Sequence, residues 1–420
     1  MFEHYQLKNK ANVYLIPLQD TKSVTGLVMF PVGSRYEPAN LNGVSHYIEH
    51  LMFKGTTKRK NTLTLTREID RLGAEYNAFT GKETTGYYVK ADASYTKIIV
   101  DILSDMLYNS LFDPKEMERE KGVVVEELRM YRDNPMMNID TVFESLMFKG
   151  SPLGWDIGGT PELVMSYKRD AVLRFRDEHY DPSAMTIVFA GAMTKDTKLY
   201  IEEFFAARQS KKKISVSSKP AVFGPAQKKT DRLIVDHKKA DQAQMMIGFP
   251  GFHHTEPHNP TMSVLNTILG GSMSSRLFIQ IRERRGLAYV VRSGAETFRD
   301  TGYAYIRAGL DPKNINKAVA CIFQEITKMI EKGVTARELA DAKTHIRGAL
   351  TLSLEDSSNQ ADWYVRQALF MDRIYTPEER LQKIEAVTRE DVQNLAQSVY
   401  KMNQARIAII GSVDAERIVF

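Results

Sequence analysis

Two histidines and a glutamate lie close together in the segment 43–50, which reads GVSHYIEH. If this segment is helical, His46 and His50 are four positions apart and project from one face, so they can share one cation. Glu49 lies beside that face, where its carboxylate can act on a water molecule held by the cation. The pattern therefore predicts a metal site that activates water. The alternative is a pair of histidines that only packs within an amphipathic helix.

A catalytic zinc ion usually has three protein ligands and one water molecule, so a further ligand must come from elsewhere in the chain. The chain contains a single cysteine, Cys321, which excludes a metal centre built from several cysteines. The acid-rich segment 116–131 is predicted to be a helix and offers Glu120 and Glu127, two turns apart on one face. Residue types alone leave both glutamates open as ligands, because most helices of this composition are simply solvated.

The composition is that of an ordinary globular protein, with 43% apolar and 26% charged residues in a chain of 420. This length favours two domains. The 57 basic and 52 acidic residues nearly balance, which does not favour a nucleic-acid partner. No apolar run approaches the ~20 residues that cross a bilayer, and residues 1–5 lack the features of a secretory signal. We therefore expect no membrane partner and a cytoplasmic location.

The two halves of the chain resemble each other. In Val172–Gly191 and again in Val392–Gly411, a helix-like stretch runs into a tyrosine and then an apolar strand, with the same spacing. The order of the matched pieces is the same in both halves. The chain is therefore predicted to contain two copies of one unit, at 1–207 and 231–420, joined by a linker at 208–230.

Each copy is predicted to be an α+β unit with a mainly antiparallel sheet. Strand-like segments open both copies, at 11–17 and 25–31 in the first and at 232–235 and 243–249 in the second. Amphipathic helices such as Lys97–Tyr108 and Ile315–Lys332 are expected to cover one face of each sheet. The basic cluster in the linker, formed by Lys211, Lys212, Lys213, Lys219, Lys228 and Lys229, is expected to be solvated.

The segment around the two histidines continues as Leu-Met-Phe-Lys-Gly-Thr, and residues 123–130 read VVVEELRM. Together these motifs resemble the pitrilysin family of zinc peptidases, and above all its two-domain branch, which includes mitochondrial processing peptidase and bacterial relatives. The resemblance implies one zinc ion per chain, with Glu127 as its third ligand and 76 residues between Glu127 and His50. Glu126 is the neighbouring alternative. Glu120 matches a second acid of the family that supports the site from outside.

The resemblance extends into the second half of the chain. The glycine-rich segment 270–277 is followed by Arg282 and Tyr289, a pair that in the family reaches across a cavity to the zinc site. The second half has no H-x-x-E-H segment at the corresponding place, where residues 264–270 read VLNTILG. A catalytic first half that faces a modified second half is the arrangement that the resemblance implies.

The resemblance also suggests residues that hold the substrate. Asn77, Ala78 and Phe79 match a strand edge that pairs with an extended peptide through main-chain hydrogen bonds. Phe53 matches the apolar wall of a subsite next to the cleaved bond, although a helical phenylalanine is equally typical of a core. Asp140 and Glu144, four positions apart, match the acids with which processing peptidases bind a basic residue near the cleavage site.

The implied function is a zinc-dependent endopeptidase that hydrolyses peptide bonds in short or unfolded polypeptides, held in a cavity between the two halves. Zinc would activate a water molecule, with Glu49 as the general base. Two alternatives stay open: a non-catalytic scaffold or partner subunit of a related peptidase complex, and a zinc hydrolase that cleaves another kind of bond. Because the zinc motif and the Arg282/Tyr289 pair occur in one chain, we expect a single gene product to suffice, and the resemblance to bacterial relatives implies a homodimer.

Overall fold

The computed structural model describes residues 2–210 and 220–420, which form two compact units. The first unit comprises Met1–Arg129, Trp155–Lys219 and Leu352–Ile374, and the second comprises Met130–Gly154, Pro220–Thr351 and Tyr375–Phe420. Part of the predicted linker, including Lys211, Lys212, Lys213 and Lys219, lies outside the described residues. Within the described ranges, no helix has the length and apolar character needed to cross a membrane.

The first unit is built on a sheet of six strands. They are β1 (Glu3–Gln6), β2 (Asn12–Pro17), β3 (Ser23–Phe30), β4 (Glu75–Thr80), β5 (Thr85–Asp92) and β6 (Thr186–Gly191). Their spatial order is β1-β2-β6-β3-β5-β4, and all neighbours are antiparallel except β2 and β6. Strand β4 therefore lies at an edge, with one side paired to β5.

The second unit has a sheet with the same plan. Its strands are β7 (Leu233–His237), β8 (Ala243–Pro250), β9 (Ala288–Thr297), β10 (Gly302–Leu310) and β11 (Arg406–Gly411). The spatial order β7-β11-β8-β10-β9 repeats the order of the last five strands of the first sheet, with the parallel pair in the same place. The predicted fold, two repeats of a mainly antiparallel α+β unit, is confirmed.

Helices connect the strands. In the first half of the chain they are α1 (Val44–Met52), α2 (Thr62–Asp70), α3 (Thr96–Asn109), α4 (Pro114–Asp133), α5 (Pro135–Met147), α6 (Pro161–Ser166), α7 (Arg169–His179) and α8 (Thr197–Phe205). In the second half they are α9 (Asn259–Gly270), α10 (Ile315–Lys332), α11 (Ala336–Ser353), α12 (Ser357–Phe370), α13 (Pro377–Glu385) and α14 (Arg389–Val399). The two helices predicted from amphipathic spacing correspond to α3 and α10.

Each sheet also carries a helix on its opposite face, which the sequence did not predict. In the first unit, Leu27 and Met29 of β3 point away from the main core and pack with Ala361 and Val365 of α12. In the second unit, α5 packs in the same way against β8 and β11. The compact units therefore differ from the two halves of the sequence, because each sheet is apolar on both faces and needs a second covering layer.

Candidate metal centre

Helix α1 displays the histidine motif because its other face is apolar. Tyr47, Ile48 and Leu51 are buried in the main core of the first unit, which turns His46 and His50 toward the opposite side. Both histidines are only partly buried. The amphipathic spacing thus orients the helix and leaves the polar face for chemistry.

The start of α1 is held by a buried carboxylate. Glu37 accepts hydrogen bonds from the backbone N–H groups of Gly43 and Ser45, at 2.6 and 2.7 Å. Gly43 has φ 96°, and a Cβ atom there would lie 2.3 Å from the carbonyl oxygen of Gly158. A negative group at a helix N-terminus satisfies free N–H donors. The first turn of α1, and with it His46, is therefore firmly positioned.

His46, His50 and Glu127 converge on one point. Their ligand atoms all lie within 4.8 Å of one another, and no other such group of three occurs among the residues that the structure describes. The Nε2 atom of His50 is 3.1 Å from Oε2 of Glu127, and the Nε2 atom of His46 is 3.8 Å from it. Two imidazole nitrogens and one carboxylate oxygen are a donor set that suits zinc. The residues present therefore fit the implied metal.

Two of these three groups are already in the protonation state that binds a metal. Burial, followed by the nearby His50, lowers the pKa of His46 to about 4, so that its imidazole is neutral at pH 7. Hydrogen bonding to His50 lowers the pKa of Glu127, which keeps its carboxylate ionised. Neutral imidazole and ionised carboxylate are the forms that bind zinc. The third group is His50: burial lowers its pKa, but its hydrogen bonds to Glu120 and Glu127 raise it to about 9, so zinc binding has to release a proton from it.

The sequence also left Glu120 and Glu126 of α4 open as ligands, and the surroundings of these two side chains differ. Glu126 has a side chain that is 70% exposed and forms an ion pair with Arg129, so it points away from the histidines. Glu120 is buried, and its Oε1 atom accepts a hydrogen bond of 2.9 Å from Nδ1 of His50. Its Oε2 atom lies 2.6 Å from the ammonium group of Lys54. Glu120 thus orients the ring of His50 through Nδ1, and leaves Nε2 of His50 available to a metal.

We expect the variant Glu120→Gln to bind zinc about 10- to 100-fold more weakly than the wild type, because a neutral amide orients the His50 ring less firmly. Titration with zinc against a competing chelator measures this affinity. Glu118→Gln is the matched control, since the Glu118 side chain is 69% exposed and pairs with Lys121. Equal zinc affinities for the two variants would contradict a supporting role for Glu120.

Glu49 lies on α1, beside the three candidate ligands, as the motif predicts. Its Oε2 atom accepts a hydrogen bond of 2.6 Å from the hydroxyl of Thr80, at the end of β4. Burial raises the pKa of Glu49 above its ordinary value, although the bond from Thr80 and the proximity of His50 lower it. A carboxylate with a raised pKa is a stronger base, which suits the transfer of a proton from water.

The predicted substrate strand is the edge strand β4. Asn77 is exposed there, whereas Ala78 is buried and belongs to the main core. The ring of Phe79 packs on the opposite face of the sheet, with the guanidinium of Arg366 at 6.0 Å, so only its main chain is available to a peptide at the edge. Phe53 is half-buried next to Tyr76, with ring centroids 6.2 Å apart. The role predicted for β4 in pairing with a peptide, and the role predicted for Phe53 in a subsite, stay predictions.

Arg282 and Tyr289 lie together in the second unit. Arg282 belongs to a short π-helical segment, Phe278–Glu283, of a kind that often occurs at functional sites. Its guanidinium lies 5.2 Å from the ring centroid of Tyr289, whose side chain on β9 is 69% exposed. The structure thus pairs these two residues with each other, and their predicted contribution to the zinc site stays a prediction.

Asp140 and Glu144 already have partners inside the second unit. Asp140 forms an ion pair of 2.8 Å with Arg307 of β10, and Glu144 accepts a hydrogen bond of 2.9 Å from the hydroxyl of Tyr303. The guanidinium of Arg307 also donates to the carbonyl oxygen of Met136. These contacts join α5 to the sheet. They give the two carboxylates a structural use that the sequence did not reveal.

Comparison with known proteins identifies the family. The chain is 31% identical over 405 residues to YmxG of Bacillus subtilis, described as an uncharacterized zinc protease, and the match covers 96% of this chain and 97% of that protein. It is 33% identical over 386 residues to an uncharacterized zinc protease of Streptomyces coelicolor, covering 91% and 83% of the two chains. Residues 13–160 match the family described as insulinase (peptidase family M16). The chain belongs to the M16 peptidase family.

The two halves of this M16 chain match different parts of the family. The match over residues 13–160 contains the three candidate ligands, whereas residues 166–346 match the peptidase M16 inactive domain. The second match contains α9, where the H-x-x-E-H motif is absent. A protease from Helicobacter pylori has the same fold, with a TM-score of 0.91 at 20% identity over 98% of this chain and 99% of that one. The M16 fold thus spans both units.

The structure places three residues at the M16 site that the sequence analysis missed. Glu37 holds the start of α1, Lys54 binds Glu120, and Thr80 binds Glu49. One signal was available for Thr80, because alternate residues of a strand share a face and Thr80 follows Ala78 by two positions. Glu37 and Lys54 gave no such signal, because Glu37 lies in an irregular segment before α1 with no side-chain period and the partner of Lys54 lies on a distant helix.

Proposed function

We propose that this chain is a zinc-dependent endopeptidase that hydrolyses peptide bonds in short or unfolded polypeptides. One observation carries the proposal: the ligand atoms of His46, His50 and Glu127 converge within 4.8 Å of one another, with the carboxylate of Glu49 beside them. The family and the names of its relatives support a zinc peptidase in general. The restriction to unfolded chains is our own inference.

His46, His50 and Glu127 would hold the zinc ion. When bound, zinc lowers the pKa of a coordinated water molecule toward 7 and polarises the carbonyl group of the scissile bond. Glu120 fixes the orientation of the His50 ring through the hydrogen bond to Nδ1. The chain thus supplies three ligands and one residue that supports them.

Glu49 is the proton carrier in this proposal. Its carboxylate takes a proton from the attacking water and delivers it to the amine nitrogen of the leaving peptide. The burial that raises the pKa of Glu49 makes its carboxylate a stronger base for the first transfer. The hydroxyl of Thr80 donates a hydrogen bond to Oε2 of this carboxylate. The other oxygen, Oε1, therefore exchanges the proton.

The preference for unfolded chains comes from the edge strand. Strand β4 pairs with β5 on one side only, so an extended peptide can add to its other side by main-chain hydrogen bonds. A folded substrate has few segments that can do this, whereas an unfolded one has many. Main-chain pairing makes little demand on side chains, and we expect broad sequence tolerance.

A requirement for a basic residue near the cleavage site is not expected. Asp140 is already neutralised by Arg307, and the carboxylate of Glu144 already accepts a hydrogen bond from Tyr303. A substrate cation would have to displace partners that are part of the fold. Action as a homodimer also belongs to the proposal, and it rests on the resemblance alone.

The test is mass spectrometry of an unfolded peptide mixture incubated with the zinc-loaded protein. We expect internal cleavages that disappear when a chelator removes the metal and return when zinc is added back. The cleavage sites should show no strong enrichment of arginine or lysine. Protein that carries one zinc ion per chain and produces no cleavage would contradict the proposal and favour a non-catalytic scaffold.

A further inference from the structure

The carboxylate of Glu49 has one partner among the residues that the structure describes, and that partner is Thr80. The hydroxyl of Thr80 donates to Oε2 of Glu49 at 2.6 Å. Among the same described residues, no donor forms a hydrogen bond with Oε1 of Glu49. A carboxylate that is tied at one oxygen can rotate little about its side-chain bonds, so the direction of the second oxygen is set as well.

Thr80 is itself held in place on both sides. Its main chain pairs with Thr85 across the β4–β5 hairpin, and the next residue, Gly81, donates from its N–H to the carbonyl of Thr84. On the other side, the carbonyl of Gly81 accepts a hydrogen bond of 3.2 Å from the N–H of Ser34. The hydroxyl of Thr80 therefore comes from a rigid part of the sheet.

A buried ion pair reinforces this turn. Arg35 and Glu83 are both almost fully buried, and Nη1 of Arg35 lies 2.6 Å from Oε1 of Glu83. The N–H of Arg35 also donates to the carbonyl of Lys82 at 2.9 Å. Gly33 allows the two loops to approach, since a Cβ atom there would lie 2.2 Å from the carbonyl oxygen of Gly81. The turn that follows Thr80 is thus anchored to the loop after β3.

We infer that Thr80 is the positioning residue of the general base. It acts through Glu49 by holding Oε2, so that Oε1 is directed at the point where the proton is transferred. The inference rests on the proposed function. It also links substrate binding to catalysis, because β4 is both the edge that would pair with the peptide and the strand that carries Thr80.

The experiment measures kcat and KM of Thr80→Val and Thr80→Ser with a peptide found in the cleavage test. Valine has nearly the shape of threonine and lacks the hydroxyl, so we expect kcat to fall about 10- to 100-fold with little change in KM. Serine keeps the hydroxyl and should restore most of the rate. Zinc content should be equal in all variants, because Thr80 contacts none of the three ligands.

The matched control is Thr85→Val, which removes the hydroxyl of the residue paired with Thr80 in the ladder. That hydroxyl is buried and donates to the carbonyl of Val32, so its loss has a similar structural cost without touching Glu49. We expect its kcat to stay within about twofold of the wild type. If Thr80→Val does not fold, as circular dichroism would show, Thr80→Ala replaces it.

A double variant separates positioning from a general structural effect. If Thr80 acts through Glu49, adding Thr80→Val to Glu49→Gln should cause no further loss of kcat. Equal kcat for wild type and Thr80→Val, a serine variant as slow as the valine variant, or a full additional loss in the double variant would each overturn the inference and leave the proposed function intact. A zinc-loaded wild type that cleaves nothing would instead overturn both.

Discussion

The variant Glu49→Gln is expected to keep its zinc and to lose about 10²- to 10⁴-fold in kcat, the usual contribution of a general base. Glutamine has the shape of glutamate and can still accept the hydrogen bond from Thr80 through its amide oxygen. It cannot take a proton from water at neutral pH. The loss should therefore arise in the chemical step, with KM nearly unchanged.

The measurement combines kcat from a quenched fluorescent peptide with zinc content from atomic absorption. The control is Glu68→Gln, a carboxylate on α2 that pairs with Arg59 and has no contact with the metal group. This control should have normal zinc content and a kcat close to that of the wild type. A Glu49→Gln enzyme with full activity would refute the role of Glu49 as the base.

The second large effect is expected for Glu127→Gln, which should bind zinc far more weakly and lose activity in proportion. An amide is a poorer ligand than an ionised carboxylate. The decrease in affinity should exceed the 10- to 100-fold expected for Glu120→Gln, because Glu127 would contact the metal directly. Equilibrium dialysis against zinc measures it, and added zinc at high concentration should recover part of the activity.

The matched control for this prediction is the adjacent variant Glu126→Gln. Glu126 has the same side chain on the same helix, but it is 70% exposed and pairs with Arg129. Zinc affinity should be unchanged there. If Glu126→Gln lost zinc and Glu127→Gln kept it, the third ligand would have to be reassigned and the geometry of α4 would be wrong.

Much of the site could be predicted from the sequence because it depends on local geometry. The spacing of His46 and His50 places them on one face of any helix, and the apolar residues between them decide which face is buried. Glu49 follows from the same local pattern. Similar reasoning found the strands and the duplication, since a repeated hydrophobic pattern needs no knowledge of distant contacts.

The choice between Glu120 and Glu127 could not be made by helical periodicity. The two residues are two turns apart on one face of α4, so the local pattern treats them alike, and only the resemblance favoured Glu127. The packing of α4 against α1 separates them: Glu127 reaches Nε2 of His50, whereas Glu120 reaches Nδ1 of the same ring. Their different roles follow from this register.

Asp140 and Glu144 show the opposite case, in which the resemblance suggested a function and the tertiary structure supplied another use. In the related processing peptidases, acids matched to these two bind a basic residue of the substrate. Because α5 packs against the sheet of the second unit, Arg307 of β10 provides a cation from within the chain. The partner is 167 positions away in sequence and could not be found by spacing.

The sequence by itself determined the duplicated α+β fold, the metal-binding face of α1 and the kind of chemistry, because side-chain periodicity and residue type are local properties. Only the tertiary structure decided which atoms of His50 the two glutamates reach, which residues hold Glu49 and Glu120, and which helix covers the second face of each sheet. Those contacts join segments far apart in the chain. They depend on how helices pack on sheets, which hydrophobic spacing limits but does not specify.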